Sequence, residues 1–279
     1  MIWRPVSACG DHCLRGERVV PAGPVRRAAR VCGLAGVTVA AGLVLPLLPR
    51  AWRGPAMRLT ARATLGALGV RWRLRGRLPR RHALVVANHV SWLDIVVLLA
   101  AGQQRVVAKA EVRDWPVVGR IAASVGAVFL DRARPRTLPV AVGQVRAALA
   151  GGAAVAVFPE GTTSCGEGAG GFRPAFFQAA IDAQAPVVPV TLRFVASGEP
   201  TAQPAFVGTE TLMDSLRRVL GMRGLSVTVV VGTAIHPGPA ASRRTLARIA
   251  ETAVGCPPVV LAPVVPFPAA AAERVVRAA

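Results

Sequence analysis

An apolar run near the N-terminus constrains this chain more than any other feature of its sequence. No residue from Val31 to Pro49 is charged, and a helix of about 19 residues is just long enough to cross the hydrocarbon core of a bilayer. The run contains glycines and Pro46, which membrane helices tolerate. The residues that follow, Arg50-Ala-Trp-Arg53, do not resemble the cleavage site of a signal peptide. We therefore expect an uncleaved membrane anchor.

Arginines flank this run on both sides. Ten lie between residues 50 and 81, against six before residue 31. Because the more positive flank stays in the cytoplasm, a spanning helix would leave the rest of the chain on the cytoplasmic side of the cell membrane. Residues 55–70 have the small and apolar content of an interfacial helix, so a helix hairpin in one leaflet explains the same charges. Both arrangements remain open from the sequence.

The overall composition favours membrane lipids as partners. The formal net charge is +20 and 53% of the residues are hydrophobic, a combination typical of proteins that meet an anionic bilayer surface. Lys109 is the single lysine among 34 basic residues, so part of the charge reflects an arginine-rich composition. The chain has no tyrosine and no interleaving of aromatic and basic residues, which argues against nucleic acid.

The five cysteines do not indicate a disulfide framework, because they are odd in number and scattered. Cys9, His12 and Cys13 offer metal ligands, but no second ligand pair follows at the spacing usual for zinc. Cys165 and the other cysteines are expected to be incidental thiols. The sequence therefore predicts neither a metal nor a cofactor.

After residue 80, short apolar runs alternate with helical stretches. This alternation predicts an α/β domain with a mixed, largely parallel sheet flanked by helices. The predicted strands are Ala83–Ala87, Val106–Lys109, Ala127–Leu130, Ala153–Phe158, Val187–Arg193 and Val227–Val231. The predicted helices are Ile95–Ala101, Trp115–Val125, Leu138–Ala150 and Phe176–Ala183.

Composition divides the chain into four parts. We expect a polar N-terminal segment over residues 1–30, membrane-anchoring helices over 31–75 and the α/β domain over 76–256. Residues 257–279 are rich in proline and alanine, and their prolines exclude a continuous helix. This last part is expected to be a tail.

The first chemical motif is Asn88-His-Val-Ser-Trp-Leu-Asp94, between a predicted strand and a predicted helix. Ser91 as N-cap and Asp94 three residues later resemble a capping box. In a continuous helix, His89 and Asp94 would point about 140° apart. The turn between strand and helix lets the carboxylate fold back towards the imidazole. Helix capping alone explains Asp94 equally well.

The second motif, Phe158-Pro-Glu-Gly-Thr162, follows another apolar strand. It places Glu160 at the carboxyl edge of the sheet, where open α/β folds bind their ligands. Gly161 allows close backbone approach, and the hydroxyls and amides after it can hold an anionic or hydroxylated group. Two such motifs after two strands are harder to explain as ordinary turns than either motif alone.

Together these residues resemble the PlsC-like family of glycerolipid acyltransferases. His89 and Asp94 match the family's His-x4-Asp motif, and Phe158 to Thr162 match its Phe-Pro-Glu-Gly-Thr motif. The family also usually has N-terminal membrane helices. The resemblance covers roughly residues 80–195. Weaker matches follow there in the family's order: Lys109-Ala-Glu111, Gly126 to Arg132, Gly171-Phe-Arg173 and Val187 to Val190.

The resemblance implies a catalytic pair. His89 would be the general base that takes the proton of an acceptor hydroxyl, and Asp94 would orient and stabilise the imidazole. The hydroxyl would attack the thioester of acyl-CoA or acyl carrier protein directly, so Cys165 is not required as a nucleophile. No cofactor beyond that co-substrate is implied.

The resemblance also implies an acceptor site. Arg132 is the expected partner of the acceptor's anionic group, because a guanidinium pairs bidentately with phosphate or carboxylate. The other expected substrate-binding residues are Glu160, Gly161, Thr162, Thr163, Ser164 and Arg173.

One departure from the family bears on the acceptor. Many lysophosphatidate enzymes have arginine directly after Glu-Gly-Thr, whereas here Thr163 and Ser164 follow. The expected acceptor is 1-acylglycerol-3-phosphate, which would give phosphatidic acid, and lyso-ornithine lipid is the alternative. A catalytically silent lipid-binding protein is the alternative of another class. A serine hydrolase is disfavoured because no Gly-x-Ser-x-Gly motif occurs.

Overall fold

The computed structural model describes residues 9–14, 20–166, 171–208, 210–238 and 240–256. The predicted tail over 257–279 lies outside the described residues, as do parts of the predicted polar N-terminal segment. The remaining chain forms an N-terminal pair of helices and an α/β domain.

Two antiparallel helices form the hairpin that one of the two predicted membrane arrangements requires. Helix α1 spans Pro24–Val44 and α2 spans Arg50–Leu68, joined through a short 3₁₀ turn. Pro24 suits the first helical turn because its missing N–H has no partner there anyway. Among the described residues, only the stretch Pro24–Leu47 is long and apolar enough to cross a membrane by length and composition.

The N-terminal end of the hairpin is fixed to the α/β domain by Arg30. Its Nη1 donates to the carbonyl oxygens of Leu220, at 2.9 Å, and Met222, at 2.6 Å. The guanidinium passes close to Gly69, which ends α2 with a φ of 69°. A Cβ atom at Gly69 would lie 2.5 Å from Arg30 Nη2, so this junction requires glycine both for its backbone conformation and for space.

The opposite end of the hairpin also contacts the domain. Ala41 and Leu45 form a small apolar cluster with Ile121, and Arg53 Nη1 donates to the Ser124 carbonyl at 3.4 Å. The hairpin is therefore attached at both ends and lies along the domain.

In the part of the chain that the structure describes, eight strands form one sheet. They are β1 (Arg71–Arg75), β2 (Ala83–Ala87), β3 (Gln104–Lys109), β4 (Val128–Leu130), β5 (Ala154–Val157), β6 (Val187–Ala196), β7 (Glu199–Pro200) and β8 (Leu225–Val231). The order is β1-β8-β6-β2-β5-β3-β4, with β7 paired to β6. All neighbours are parallel except β6 with β8 and β6 with β7. The predicted mixed, largely parallel sheet is confirmed.

Helices cover both faces of this sheet. Besides α1 and α2, they are α3 (Leu93–Ala101), α4 (Val118–Ser124), α5 (Leu138–Ala150), α6 (Ala175–Asp182), α7 (Leu212–Gly221) and α8 (Arg243–Gly255). Residues of α2, α3 and α7 contribute to one apolar core, and residues of α5, α6 and α8 to the other. All five residues of β2 are buried, as expected for a central parallel strand covered on both faces.

The structure corrects the predicted boundaries around the anchor. Residues 71–75 were expected to belong to the anchoring helices, but they form β1 and pair with β8. The alternating Arg71-Trp-Arg-Leu-Arg75 suits an edge strand, where charged side chains are tolerated. Helix α1 begins at Pro24 and so includes residues that were expected in the polar segment.

Candidate active site

The two chemical motifs meet at the carboxyl edge of the sheet. Strands β2 and β5 are neighbours and run parallel, so the loops after them leave the sheet side by side. The first loop carries His89 and the second carries Glu160. The backbone N–H of His89 donates to Glu160 Oε1 at 2.9 Å, which joins the two loops directly.

His89 and Asp94 are in hydrogen-bond contact within the first loop. His89 Nδ1 lies 2.9 Å from Asp94 Oδ2. The same carboxylate oxygen accepts from the backbone N–H groups of Val90, at 2.6 Å, and Ser91, at 2.8 Å. Asp94 is fully buried and His89 nearly so. The prediction that the turn brings the carboxylate back to the imidazole is confirmed.

The capping box predicted for this turn is only half present. The Asp94 carboxylate does accept the Ser91 N–H, but Ser91 Oγ accepts from Leu93 N, at 3.4 Å, instead of from Asp94 N. Ser91 is not the N-cap, because Trp92 already has helical backbone angles and precedes α3 directly. The Asp94 side chain therefore bonds the loop backbone and His89, and it contributes little to capping the helix terminus.

These contacts determine which nitrogen of His89 can act as a base. A carboxylate oxygen only accepts hydrogen bonds, so Nδ1 carries the proton that faces Asp94. Nε2 then holds the lone pair, and it makes no hydrogen bond to any residue the structure describes. The imidazole ring stacks on Phe158, with centroids 4.1 Å apart and an angle of 17° between the planes.

Glu160 is the titratable group that burial perturbs most clearly at this site. Burial raises its pKa to about 7, against the opposing effect of the hydrogen bond from the His89 N–H. Its second oxygen, Oε2, is buried and has no hydrogen-bond partner in the described chain. Glu160 therefore changes charge near neutral pH, immediately beside the histidine.

The rest of the second loop is held mainly through its backbone. Ser164 N donates to the His89 carbonyl at 2.8 Å, and the Ser164 side chain is buried. The Thr163 hydroxyl donates to the Phe206 carbonyl. Of the three predicted hydroxyl ligands, Thr162 alone makes no hydrogen bond to the described residues. Ser164 and Thr163 are thus placed to hold the loop.

Two arginines converge on Gly161. Arg132 Nη1 donates to the Gly161 carbonyl at 2.8 Å, and Arg173 Nε donates to the Glu160 carbonyl at 3.3 Å. Gly161 has a φ of 76°, and a Cβ atom there would lie 3.0 Å from Arg173 Nε. Burial lowers the pKa of both guanidinium groups, which remain cationic because arginine titrates far above neutral pH.

A cavity of about 100 Å³ opens beside these arginines. Its walls are mostly apolar side chains, and Arg132, Arg173 and Asp131 supply the charged groups. Phe158 lines the cavity and stacks on His89, so one ring connects the cavity to the histidine. The apolar lining residues are Val107, Pro135, Leu138, Leu130, Val157, Pro159, Ala175 and Phe176.

Sequence reasoning missed three residues that shape this site. Phe158 belongs to the second motif, but its stacking on His89 was not predicted. Asn88 bonds both the N–H and the carbonyl of Leu192, at 2.7 and 3.0 Å, and so fixes the end of β2 to β6. Phe206 N donates to the Val90 carbonyl at 2.9 Å. Asn88 stood beside His89 in the motif, but no sequence signal marked Phe206.

Comparisons with known proteins identify the family of this chain. A family model described as Acyltransferase matches residues 70–193. The lyso-ornithine lipid O-acyltransferase of Pseudomonas aeruginosa is 37% identical over 212 residues, which cover 76% of this chain and 79% of that protein. The 1-acyl-sn-glycerol-3-phosphate acyltransferase of Neisseria meningitidis serogroup B is 38% identical over 183 residues, which cover 63% and 70% of the two chains.

A solved structure shares the fold. The crystal structure of the 1-acyl-sn-glycerophosphate acyltransferase PlsC from Thermotoga maritima superposes with a TM-score of 0.60 at 20% sequence identity. The match covers 83% of this chain and 92% of that one. It therefore includes most of the architecture described above.

Proposed function

Because the chain belongs to the PlsC-like acyltransferase family and is an acyltransferase acting on lysolipids, we propose that His89 is the general base of the transfer and that Asp94 orients it. The observation that carries this assignment is the 2.9 Å contact between His89 Nδ1 and Asp94 Oδ2. It leaves Nε2 as the basic nitrogen, and the stacking on Phe158 fixes the plane of the ring.

The proposed reaction has a single transfer step and no acyl-enzyme. Nε2 of His89 removes the proton of the acceptor hydroxyl while the oxygen attacks the thioester carbonyl of the acyl donor. The carbon–sulfur bond breaks, and the leaving thiolate takes the proton back from the imidazolium. Asp94 stabilises that imidazolium, as the carboxylate of a hydrolytic triad does. The donor is acyl-CoA or acyl carrier protein, and the chemistry requires no cofactor.

The proposed acceptor site lies around Gly161. Arg132 and Arg173 bring two positive charges to the cavity beside the motif, which suits an anionic group on the acceptor. Glu160 holds the His89 backbone, and Thr162 is the hydroxyl best placed to remain available to a substrate. The apolar walls of the cavity, away from the two guanidinium groups, suit hydrocarbon.

Lysophosphatidate is the first proposed acceptor, because two guanidinium groups suit a phosphomonoester. Lyso-ornithine lipid is the second, and two observations favour it. Thr163 stands where many lysophosphatidate enzymes have arginine. The relative aligned over 76% of this chain carries that name, whereas the Neisseria enzyme aligns over 63%.

The decisive experiment is a parallel assay of the purified full-length chain in detergent micelles. Each acceptor is offered at matched concentrations with the same acyl donor, first acyl-CoA and then acyl carrier protein. We expect one acceptor to be preferred by at least about tenfold in kcat/KM, which corresponds to 1.4 kcal/mol. Product formation that persists in His89→Ala would contradict the proposed mechanism whichever acceptor is preferred.

We also propose that the helix hairpin lies in one leaflet of the cell membrane, with the α/β domain on the cytoplasmic side. The support is that both hairpin ends contact the domain while large apolar side chains of the hairpin are exposed. Those side chains are Val25, Val31, Val39, Leu43, Val44, Leu47, Trp52 and Leu59. Labelling of single cysteines placed along α1 in sealed vesicles tests this arrangement. A cysteine that reacts with a label added at the outer face of the membrane would contradict it.

A further inference from the structure

Three cysteines that are far apart in sequence meet next to the second motif. The sulfur atoms of Cys9, Cys13 and Cys165 all lie within 4.8 Å of one another, and Cys9 Sγ is 3.4 Å from Cys165 Sγ. The sequence argument against a metal was the lack of a second ligand pair to join Cys9 and Cys13. Cys165, which is 156 residues from Cys9 in the chain, supplies one further ligand.

We propose that Cys9, Cys13 and Cys165 form a thiolate site for Zn²⁺. Zinc bonds to thiolate sulfur at about 2.3 Å in a tetrahedral arrangement, which places bound sulfurs roughly 3.8 Å apart. Cys9 Sγ and Cys165 Sγ are 3.4 Å apart and no pair of the three sulfurs exceeds 4.8 Å, so binding requires only small side-chain movements. The Cys9-x3-Cys13 spacing falls within the two- to four-residue range of structural zinc sites. With three protein ligands, the fourth position would be open to water, as in the three-ligand sites that zinc also forms.

A disulfide accounts for this cluster less well than a metal does. It would use two of the sulfurs and leave the third beside them without a role, whereas all three are close together. The proposed cytoplasmic location of the domain also disfavours a lasting disulfide, because thiols are kept reduced there. Soft thiolate ligands in a group of three favour zinc over magnesium or calcium, which prefer oxygen.

The cluster has a clear structural task. Residues 9–14 contact the segment 201–207, since Gln203 Nε2 donates to the Leu14 carbonyl at 2.7 Å. That segment also accepts from Thr163 and donates to Val90. Cys165 directly follows Ser164, whose N–H donates to the His89 carbonyl. A bound zinc would therefore join the N-terminal turn to the loop that supports the histidine.

The test uses the full-length chain, purified in detergent with a phosphine reductant and titrated anaerobically with Zn²⁺ and then Co²⁺. We expect about one Zn²⁺ per chain. Co²⁺ should give the thiolate charge-transfer bands and the strong visible bands of a tetrahedral site. Each of Cys9→Ser, Cys13→Ser and Cys165→Ser should weaken Zn²⁺ binding by roughly 100-fold or more, since even an outer-shell partner is worth 10–100-fold.

The matched control is the double variant Cys32→Ser/Cys256→Ser, which removes the two exposed cysteines and should bind metal as the unaltered chain does. The Co²⁺ spectrum of the unaltered chain is itself a test, so a variant that fails to fold does not decide the question. The proposal is overturned if that spectrum lacks thiolate bands. It is also overturned if mass spectrometry finds a Cys9–Cys165 disulfide in the protein from reducing cytoplasm.

Discussion

The loops after β2 and β5 lie side by side, but they are held in different ways. In the first loop, Asp94 Oδ2 accepts three hydrogen bonds, and all three donors lie within residues 89–91. In the second loop, the partners come from elsewhere in the chain. They are His89, Arg132, Arg173 and Phe206. The contacts that orient the proposed base are therefore local. The first loop's backbone also bonds Glu160, Ser164 and Phe206, whereas the second loop is held mainly by such distant partners.

This difference associates the catalytic chemistry with the first loop and the acceptor specificity with the second loop. A base must keep its geometry in every catalytic cycle, and short-range hydrogen bonds in a buried turn provide that with little dependence on distant packing. The second loop takes its shape from segments that can vary independently. Changes in the first loop should therefore affect kcat, and changes around the second should affect acceptor binding or stability.

The sharpest test of the comparison is His89→Ala. Loss of the general base should lower kcat by about 10⁴-fold, the upper end of the usual range for such groups, while membrane association stays unchanged. Steady-state kinetics with a saturating acyl donor measure the loss, and vesicle flotation measures the association. His236→Ala, at an exposed position after β8, is the matched control and should keep full activity.

Asp94→Asn should have the next largest effect. The amide keeps the size of the side chain, but it can no longer accept all three hydrogen bonds as an anion or stabilise the imidazolium. We expect kcat to fall by about 10²–10³-fold, because an orienting carboxylate contributes less than the base itself.

Asp214→Asn separates this catalytic effect from helix capping. Asp214 forms a complete capping box with Thr211 at the start of α7, so its loss affects a helix terminus without touching the site. It should lower stability slightly, through loss of the charged capping contact, and leave kcat unchanged. If Asp94→Asn lowered kcat no more than Asp214→Asn does, Asp94 would be only a helix cap.

Glu160→Gln should change how stability depends on pH. The folded protein holds the Glu160 proton up to a pKa of about 7, whereas the unfolded chain releases it near 4.5. The folded state thus binds more protons between these values, so stability falls as pH rises from about 4.5 to 7 and then levels off. The contribution lost is at most about 3 kcal/mol.

Urea unfolding at pH 5 and pH 8 measures this effect. The unaltered chain should lose stability between the two pH values, and Glu160→Gln should lose up to about 3 kcal/mol less. Glu199→Gln, at an exposed position in β7, is the control and should behave like the unaltered chain. A Glu160→Gln variant with the same pH dependence as the unaltered chain would show that burial does not perturb this carboxyl group.

Arg132→Ala should raise the acceptor KM by about tenfold, which corresponds to losing roughly 1.4 kcal/mol of binding, with a smaller change in kcat. The control is Arg134→Ala, because Arg134 is 80% exposed and pairs with Asp131 at the surface. If both variants have the KM of the unaltered enzyme, Arg132 does not bind the acceptor.

Ser164→Ala should have the smallest effect. The bond to His89 comes from the Ser164 backbone, and the hydroxyl lies 3.5 Å from the same carbonyl. Because the Ser164 side chain is buried, we expect a stability loss of about 1 kcal/mol, the net value of one hydrogen bond, and an unchanged acceptor KM. A tenfold rise in KM would instead place the hydroxyl in contact with the acceptor.

The sequence predicted most of the central sheet because its strands are continuous apolar runs. The contact between His89 and Asp94 was also predictable, since the six residues from 89 to 94 and their turn contain all of it. Strand β1 was not predicted because its arginines interrupt any apolar run. An edge strand buries few side chains, so its sequence can remain charged. Helices α7 and α8 were missed because their polar outer faces dilute the apolar signal of a helix packed on one side.

Contacts between distant segments had no sequence signal. The hydrogen bond from His89 to Glu160 spans 71 residues, and it depends on β2 and β5 being neighbours in the sheet. The meeting of Cys9 with Cys165 likewise requires the N-terminal turn to reach the second loop. The first contact depends on the order of the strands and the second on the path of the chain. Local sequence spacing reveals neither.

The junction between Arg30 and Gly69 has a consequence for how this chain can change over evolutionary time. The guanidinium occupies the space that any side chain at position 69 would need, so the two positions cannot vary independently. A side chain at 69 would displace the guanidinium from its bonds to Leu220 and Met222, unless Arg30 had already been shortened. Substitutions at the two positions should therefore be non-additive by about 0.5–3 kcal/mol, which makes the order in which they occur matter.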